Sequence, residues 1–256
     1  MRLGADIPLI AAPEYQLAAQ RLAEQYHLSF VDEQASSGCL FRLRLTSNGL
    51  ELEKLQPEDV KPKQNPHRVD YTDPGLRQRL RPNILFGDPL IRALGLKPTE
   101  QTPNLIWDIS LGYGIDAFIM AASGAHVIGF EQHPIIFALT DDARLRALQC
   151  AETQPIAQRL EFHCGIASEQ VHQRPQRVYF DPMFHEEKTA RPHKAMAWLQ
   201  EVVTEQPNPV HMLEQALQWA TKRVVVKQPR NAPQMLKPSF SHQYATCRFD
   251  VYLTSK

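Results

Sequence analysis

Hydrophobic positions change their period along this chain, and each change marks an element. Residues 8–12 read as extended, and in 14–26 Leu17, Ala18, Leu22 and Tyr26 recur at helical spacing. Leu40-Phe-Arg-Leu-Arg-Leu45 and Leu50-Glu-Leu-Glu-Lys-Leu55 then alternate with period two around Ser47-Asn48-Gly49, whose residues suit a left-handed turn, so the pair predicts a hairpin. Residues 56–65 are rich in Pro, Lys and Gln and carry no period. They predict a linker between a small α+β cap over 1–60 and a main domain over 67–256.

From Leu105 onward, short apolar runs alternate with longer helical patterns. Strands are predicted at 105–109, 126–130, 159–163, 177–180 and 223–227, and helices at 116–123 (closed by Gly124), 134–149, 190–204 and 209–221. Asn208 before Pro209 is a good N-cap with proline at the first helical position. Such a series implies an α/β fold, a mostly parallel sheet covered by helices on both faces. Residues 248–253 are expected to pair antiparallel with the Val224 strand as an edge. Trp107, Phe118, Ile119 and Phe130 are expected to be core packing.

Composition narrows the class without changing this picture. With 256 residues, 43% hydrophobic and 22% charged, the chain excludes disorder, collagen and coiled coil as its main architecture. Its longest uncharged apolar-rich run, 117–130, has 14 residues, whereas a membrane helix needs about 20. The first residues lack the basic start and unbroken apolar stretch of a signal peptide, so a cytoplasmic location is expected. Cys39, Cys150, Cys164 and Cys247 are scattered without a Cys-x-x-Cys pair, and no metal is expected. The formal charge is zero but uneven: net −4 over 1–60, +5 over 61–97, −7 over 98–221 and +6 over 222–256. The two basic segments suggest a polyanionic partner, with Arg77, Arg79, Arg81, Arg92, Lys222, Lys227 and Arg230 at the mouth of a cleft.

Ligands of open α/β sheets bind beyond the carboxyl ends of the strands, so the chemistry should stand just after each strand. After the first comes Asp108-Ile-Ser-Leu-Gly112-Tyr-Gly114-Ile-Asp116, whose glycines let backbone approach a ligand ahead of a helix. After the second comes Glu131, 19 residues beyond Gly112, where such folds place an acid on ribose hydroxyls. Nicotinamide and S-adenosylmethionine sites share this pattern. Asp108 inside the turn favours the methyl donor, because a carboxylate there meets the donor's cationic amino-acid part but would sit badly beside a pyrophosphate. After the fourth strand stands Asp181-Pro182-Met183-Phe184, similar to the Asn/Asp/Ser-Pro-Pro-Tyr/Phe motif of methyltransferases that modify exocyclic or amide nitrogens. Asp181 and the Pro182 carbonyl would hold the two amine hydrogens, and Phe184 would stack on the base. His185, His193 and His242 read as surface or rim residues, and Cys164 has no catalytic role in this chemistry.

These residues lie in a chain that resembles the ribosomal RNA small subunit methyltransferase J family. The likeness runs from Val69-Asp-Tyr71 through Leu96-Lys97, residues 112–118, Glu131-Gln-His-Pro134, Leu139-Thr-Asp-Asp142, Arg174-Pro-Gln, residues 181–184, Thr221-Lys-Arg-Val-Val-Val-Lys227 and Arg248-Phe-Asp-Val-Tyr252. The resemblance implies a class I Rossmann-like methyltransferase with a seven-stranded sheet, using S-adenosyl-L-methionine to methylate the exocyclic N2 of a guanosine in 16S rRNA. It also implies donor contacts at Ile115, Asp116, Glu131, Gln132, Cys164, Gly165 and Asp181, beside Asp108, Gly112 and Gly114 from the loop. The partner would be 16S rRNA or the small ribosomal subunit, with no membrane or metal; the sequence leaves the oligomeric state open, with a monomer favoured. The chain departs from the family's Asp-x-Thr-Ala-Gly-Leu-Gly-Arg-Asp loop at Leu111 and Ile115, and from Asp-Pro-Met-Phe-Pro at His185. From the residues alone, an N-methyltransferase of DNA or protein amides, a nicotinamide oxidoreductase and a non-catalytic RNA-binding module also stay open.

Overall fold

A computed structural model describes residues 7–36, 39–55, 65–98, 104–167, 173–182, 197–198, 201–203 and 207–254. Two sheets organise it. The smaller holds β1 (Leu9–Ala11), β2 (Phe41–Thr46) and β3 (Gly49–Lys54) in that order, with β1 parallel to β2 and a β2–β3 hairpin. Gly49 takes φ 107°, the conformation the turn needs. Helix α1 (Gln16–Tyr26) follows β1 after a single 3-10 turn, so the helical pattern that begins at Glu14 becomes regular only two residues later.

The larger sheet runs β6-β5-β4-β7-β8-β10-β9. Its parallel members are β4 (Leu105–Asp108), β5 (His126–Glu131), β6 (Leu160–Cys164), β7 (Arg177–Phe180) and β8 (Arg223–Pro229). Helices α5 (Ile115–Ala122), α6 (Pro134–Gln149), α7 (Gln154–Ala157) and α8 (Pro209–Trp219) connect them. The helix expected at 190–204 lies largely outside the described residues, of which 197–198 and 201–202 are helical. Asn208 does cap α8, its Oδ1 accepting from Val210 N at 2.9 Å. The order turns back between β4 and β7, and this switch point is where the crevice of a doubly wound sheet opens.

Two expectations are corrected. The closing strand β10 (Cys247–Leu253) pairs antiparallel with β8, but it is an inner strand: β9 (Phe240–Gln243) covers its other side and forms the edge. Both sides of β10 therefore meet hydrogen-bonding partners, which suits its nearly continuous burial. The four aromatic and aliphatic core residues are buried but do not form one cluster. Phe118 and Ile119 belong to a core shared with the small sheet, whereas Trp107 and Phe130 pack with Val224 and Val226 in a second core. Period-two alternation along β4 and β5 sends their side chains to opposite faces.

Between the sheets, α2 (Pro74–Arg79), α3 (Pro82–Leu85) and α4 (Pro89–Leu94) each open on proline. Asp73 and Asp88 cap two of them by accepting from Leu76 N and Leu90 N, both at 3.0 Å. The small sheet and α1 reach the main domain through several contacts. Leu52 and His67 form an isolated antiparallel bridge, Tyr26 Oη donates to Asp141 Oδ2 at 2.8 Å, and β3 packs on α6. The chain leaving that bridge leads directly to Tyr71, beside the glycine loop.

Candidate active site

Each functional side chain arrives at the carboxyl end of a parallel strand. Asp108 ends β4, is 1% exposed and accepts from Ser110 N at 3.1 Å. Ser110 Oγ in turn accepts from Asp181 N at 2.6 Å, tying the glycine loop to the chain leaving β7. Gly112 and Gly114 both have positive φ, 53° and 68°, and Gly114 is the N-cap of α5. A Cβ at Gly114 would stand 2.2 Å from Tyr71 Oη, which is already donating to Tyr113 O at 3.0 Å, and 2.9 Å from Thr140 Cγ2. Thr140 Oγ1 closes the other side by donating to Gly112 O at 2.7 Å.

Glu131 ends β5 and holds the loop by both oxygens: Gly112 N donates to Oε2 at 3.0 Å and His133 N to Oε1 at 2.7 Å. Gln132 N is a third backbone donor to this carboxylate, whose remaining acceptor capacity suits a hydroxyl. Cys164 lies opposite Glu131 in register at the exposed end of β6, and Gly165 N donates to Glu131 O at 2.9 Å. Ile115 begins α5 and packs against the core, so its side chain is engaged in packing; Gln132 is half-buried beside Glu131. Leu111 is accommodated because Gly129 of β5 has no side chain: a Cβ there would lie 2.6 Å from Leu111 Cδ1.

Asp181 follows β7 and Pro182 is buried behind it; Phe184, His185 and His193 lie outside the described residues. The basic residues separate. Lys227 Nζ donates to Asp181 Oδ2 at 2.7 Å and to Asp116 Oδ2 at 3.2 Å, and Asp116 Oδ2 also accepts from Tyr179 Oη at 2.6 Å. Its ammonium is therefore engaged inside the cleft. Lys222 precedes β8, and Arg77 pairs with Glu152 between α6 and β6, so both stand at the amino ends of the strands, away from the crevice. Arg79 pairs with Asp88, while Arg230, directly after β8, keeps the crevice side. Segment charge carries no direction, which is why the expected grouping fails for Lys222 and Arg77.

The electrostatics fit a cationic ligand. Burial pushes the Asp108 carboxyl up to about 8, with Asp116 and Asp181 adding repulsion, against the Ser110 hydrogen bonds. Burial likewise lifts Glu131 to about 7 despite its backbone donors, and Asp181 to about 6 despite Lys227. Among the described residues, Asp108, Asp116 and Asp181 have one lysine beside them, Lys227, so in ionised form they carry more negative charge than it offsets. S-adenosylmethionine carries an ammonium and a sulfonium, and a tight glycine loop with a ribose-facing acid completes the set it needs. Asp108 and Asp116 would meet its cationic groups and Glu131 its ribose.

A pH dependence follows. A cation favours the ionised carboxylates, so donor affinity is expected to rise between pH 6 and 8.5 as Asp181, Glu131 and Asp108 lose protons near 6, 7 and 8. Raised carboxyl values mean that the unliganded fold holds these protons more tightly than the unfolded chain does. Their contribution to its stability therefore falls from about pH 4, where the unfolded carboxyls ionise, up to the folded values near 6, 7 and 8, and is lost above them. Calorimetric titration in buffers of different ionisation enthalpy should show proton release on binding; pH-independent affinity without proton release would contradict the assignment.

Among the described residues, no group of three or more His, Cys, Asp or Glu could hold a metal, and no helix is long and apolar enough to cross a membrane. Sequence reading left Ser110, Tyr71, Thr140 and Tyr179 without roles at this site. Only folding brings Tyr71 and Thr140 to Gly114.

The chain is similar to known proteins. A SAM-dependent methyltransferase family profile matches residues 21–254. The ribosomal RNA small subunit methyltransferase J of Dechloromonas aromatica is 33% identical over 94% of this chain and 96% of its own, and that of Pseudomonas fluorescens 32% over 94% and 91%. The crystal structure of a SAM-dependent methyltransferase from Neisseria gonorrhoeae superposes with TM-score 0.70 at 28% identity, covering 96% of both chains. With its seven-stranded sheet, glycine loop and Asp-Pro strand end, this chain belongs to the ribosomal RNA small subunit methyltransferase J family and is a SAM-dependent methyltransferase.

Proposed function

We propose that the enzyme methylates the exocyclic N2 amine of a guanosine in 16S ribosomal RNA, acting in the cytoplasm as a monomer on that RNA or on the small subunit. Residues 1–60 serve as the cap and 67–256 as the catalytic domain in this reading. The observation that carries it is the placement of Asp181 and Pro182 at the switch-point end of β7, backed by Ser110 and beside Asp108. Asp108, Gly112, Gly114, Ile115, Asp116, Glu131, Gln132, Cys164 and Gly165 hold the donor, the glycines by backbone and Ile115 by its place in the first turn of α5.

S-adenosylmethionine supplies a methyl group activated on a sulfonium. An aromatic amine is a poor nucleophile because its lone pair is delocalised into the ring. Asp181 accepts one amine hydrogen and the Pro182 carbonyl the other, which orients the nitrogen lone pair toward the donor side. Phe184 stacks on the base, which must leave its surroundings to be reached. The nitrogen becomes acidic once methylated, and its proton leaves to water or to Asp181. Nucleoside mass analysis of 16S rRNA from a deletion strain should show one N2-methylguanosine lost and restored by the intact gene. An unchanged rRNA profile with methylation lost from DNA or protein would overturn the substrate assignment.

A further inference from the structure

We propose that Lys227 is a positioning residue for methyl transfer, clamping one oxygen of Asp181 so that an ionised carboxylate presents the other to the acceptor amine. The inference rests on the reading of Asp181 as the amine's hydrogen-bond acceptor. It assigns to Lys227 an internal role in place of a contact with RNA.

Geometry carries it. Phe180 and Val226 are paired in the β7–β8 register, so the next residues of the two strands, Asp181 and Lys227, lie side by side. Tyr179 and Val225 face the core shared with the small sheet, and period-two alternation puts Asp181 and Lys227 on that same face, toward α5. The Asp181 backbone is fixed by Ser110 Oγ at 2.6 Å and its Oδ2 by Lys227 Nζ at 2.7 Å, which leaves Oδ1 outside the clamp. Two anchors on one residue set its rotamer before any substrate arrives, a preorganisation that an orienting acceptor needs.

The neighbours make the charge of Lys227 decisive. Asp181 is faced by Asp116 from α5, Asp108 from β4, Tyr179 from β7 and Cys247 from β10. Burial holds the Tyr179 hydroxyl and the Cys247 thiol above their ordinary ranges, so both are neutral at physiological pH. Of the other two, Asp116 is a like-charged carboxylate, and Asp108, raised by burial to about 8, adds its charge as the pH rises. Burial would lower the Lys227 ammonium, but Asp116 and Asp181 outweigh it and hold it above the usual lysine range. Without Lys227, burial and like charge would both drive Asp181 to its protonated form, in which one oxygen becomes a donor and no longer suits an amine hydrogen.

The test compares full-length wild type with Lys227→Met, Lys227→Arg and Asp181→Asn. Carbon-13 carboxyl titration of the unliganded proteins, with Asp181 assigned through Asp181→Asn, should place its midpoint about one pH unit or more higher in Lys227→Met, a tenfold change in proton affinity. The acid limb of single-turnover methylation, on small subunits lacking the modification, should move by the same amount, with the rate recovering at high pH. Lys227→Arg should keep the wild-type midpoint. An unmoved midpoint, or a uniform loss of rate at every pH, would overturn the proposal; Lys227→Gln takes the same measurements if Lys227→Met does not fold. Full turnover by Asp181→Asn would overturn the parent reading instead, whereas an inactive Asp181→Asn beside a wild-type profile for Lys227→Met removes Lys227 alone.

Discussion

Replacing Asp181 by alanine is expected to lower the single-turnover rate by about 10²-fold or more, the scale seen when one preorganised hydrogen-bonding group is removed from a reacting centre. The backbone bond from residue 181 to Ser110 Oγ survives the change, and so does the Lys227–Asp116 pair. The fold should therefore persist. Because the fold raises the Asp181 carboxyl to about 6, its charge is carried at some cost. The alanine variant should unfold no earlier than wild type at pH 8, a separation of activity from stability common at functional sites. Rapid-quench methylation and thermal unfolding measured side by side check both halves. Lost activity accompanied by lost folding would make Asp181 structural.

Gly114→Ala should strike donor binding and folding together. At φ 68° an alanine is strained, and its Cβ would meet Tyr71 Oη at 2.2 Å with no room to retreat, since Tyr71 is fully buried and stacked on Phe118 at 4.6 Å. Left-handed strain and overpacking together cost about 2–5 kcal/mol. Tyr71→Phe alone removes one hydrogen bond, to Tyr113 O, at about 1 kcal/mol. The double variant should recover part of the loss, because the steric contact goes while the strain remains, and denaturant unfolding of all four proteins gives the coupling. Additive losses would mean that the loop relaxes around the new methyl group.

Much of the sheet was legible because its strands are continuously apolar and its helices long enough to show their period; helix 134–149 has the bounds of α6. What escaped was short or one-sided. Helices α2, α3 and α4 have six, four and six residues, too few to display a 3.6-residue repeat, although Asp73-Pro74 and Asp88-Pro89 carried their start signals. Strand β9 has one large apolar residue, Phe240, and pairs along a single edge, so no alternation announces it. At the site, the spacing of Gly112 and Glu131 was readable because a strand, a turn and a helix fix it. The approach of Tyr71, Thr140 and Lys227 depends on contacts between distant segments and leaves no local pattern. Lys227 was instead grouped by charge with other basic residues, although the three buried valines before it already placed it on a buried strand.

The place of β10 between β8 and β9 bears on how the protein is made. During synthesis β8 and β9 leave the ribosome first, and neither can pair with the other in the native order until β10 slots between them. The parallel part of the sheet can assemble early, but the side of β8 away from β7 stays an unsatisfied edge until residue 253 has emerged. Such an edge invites pairing with another chain. Yield and solubility of this enzyme should thus depend on how quickly its final strand is delivered, and slow codons placed between β9 and β10 would lengthen the vulnerable interval.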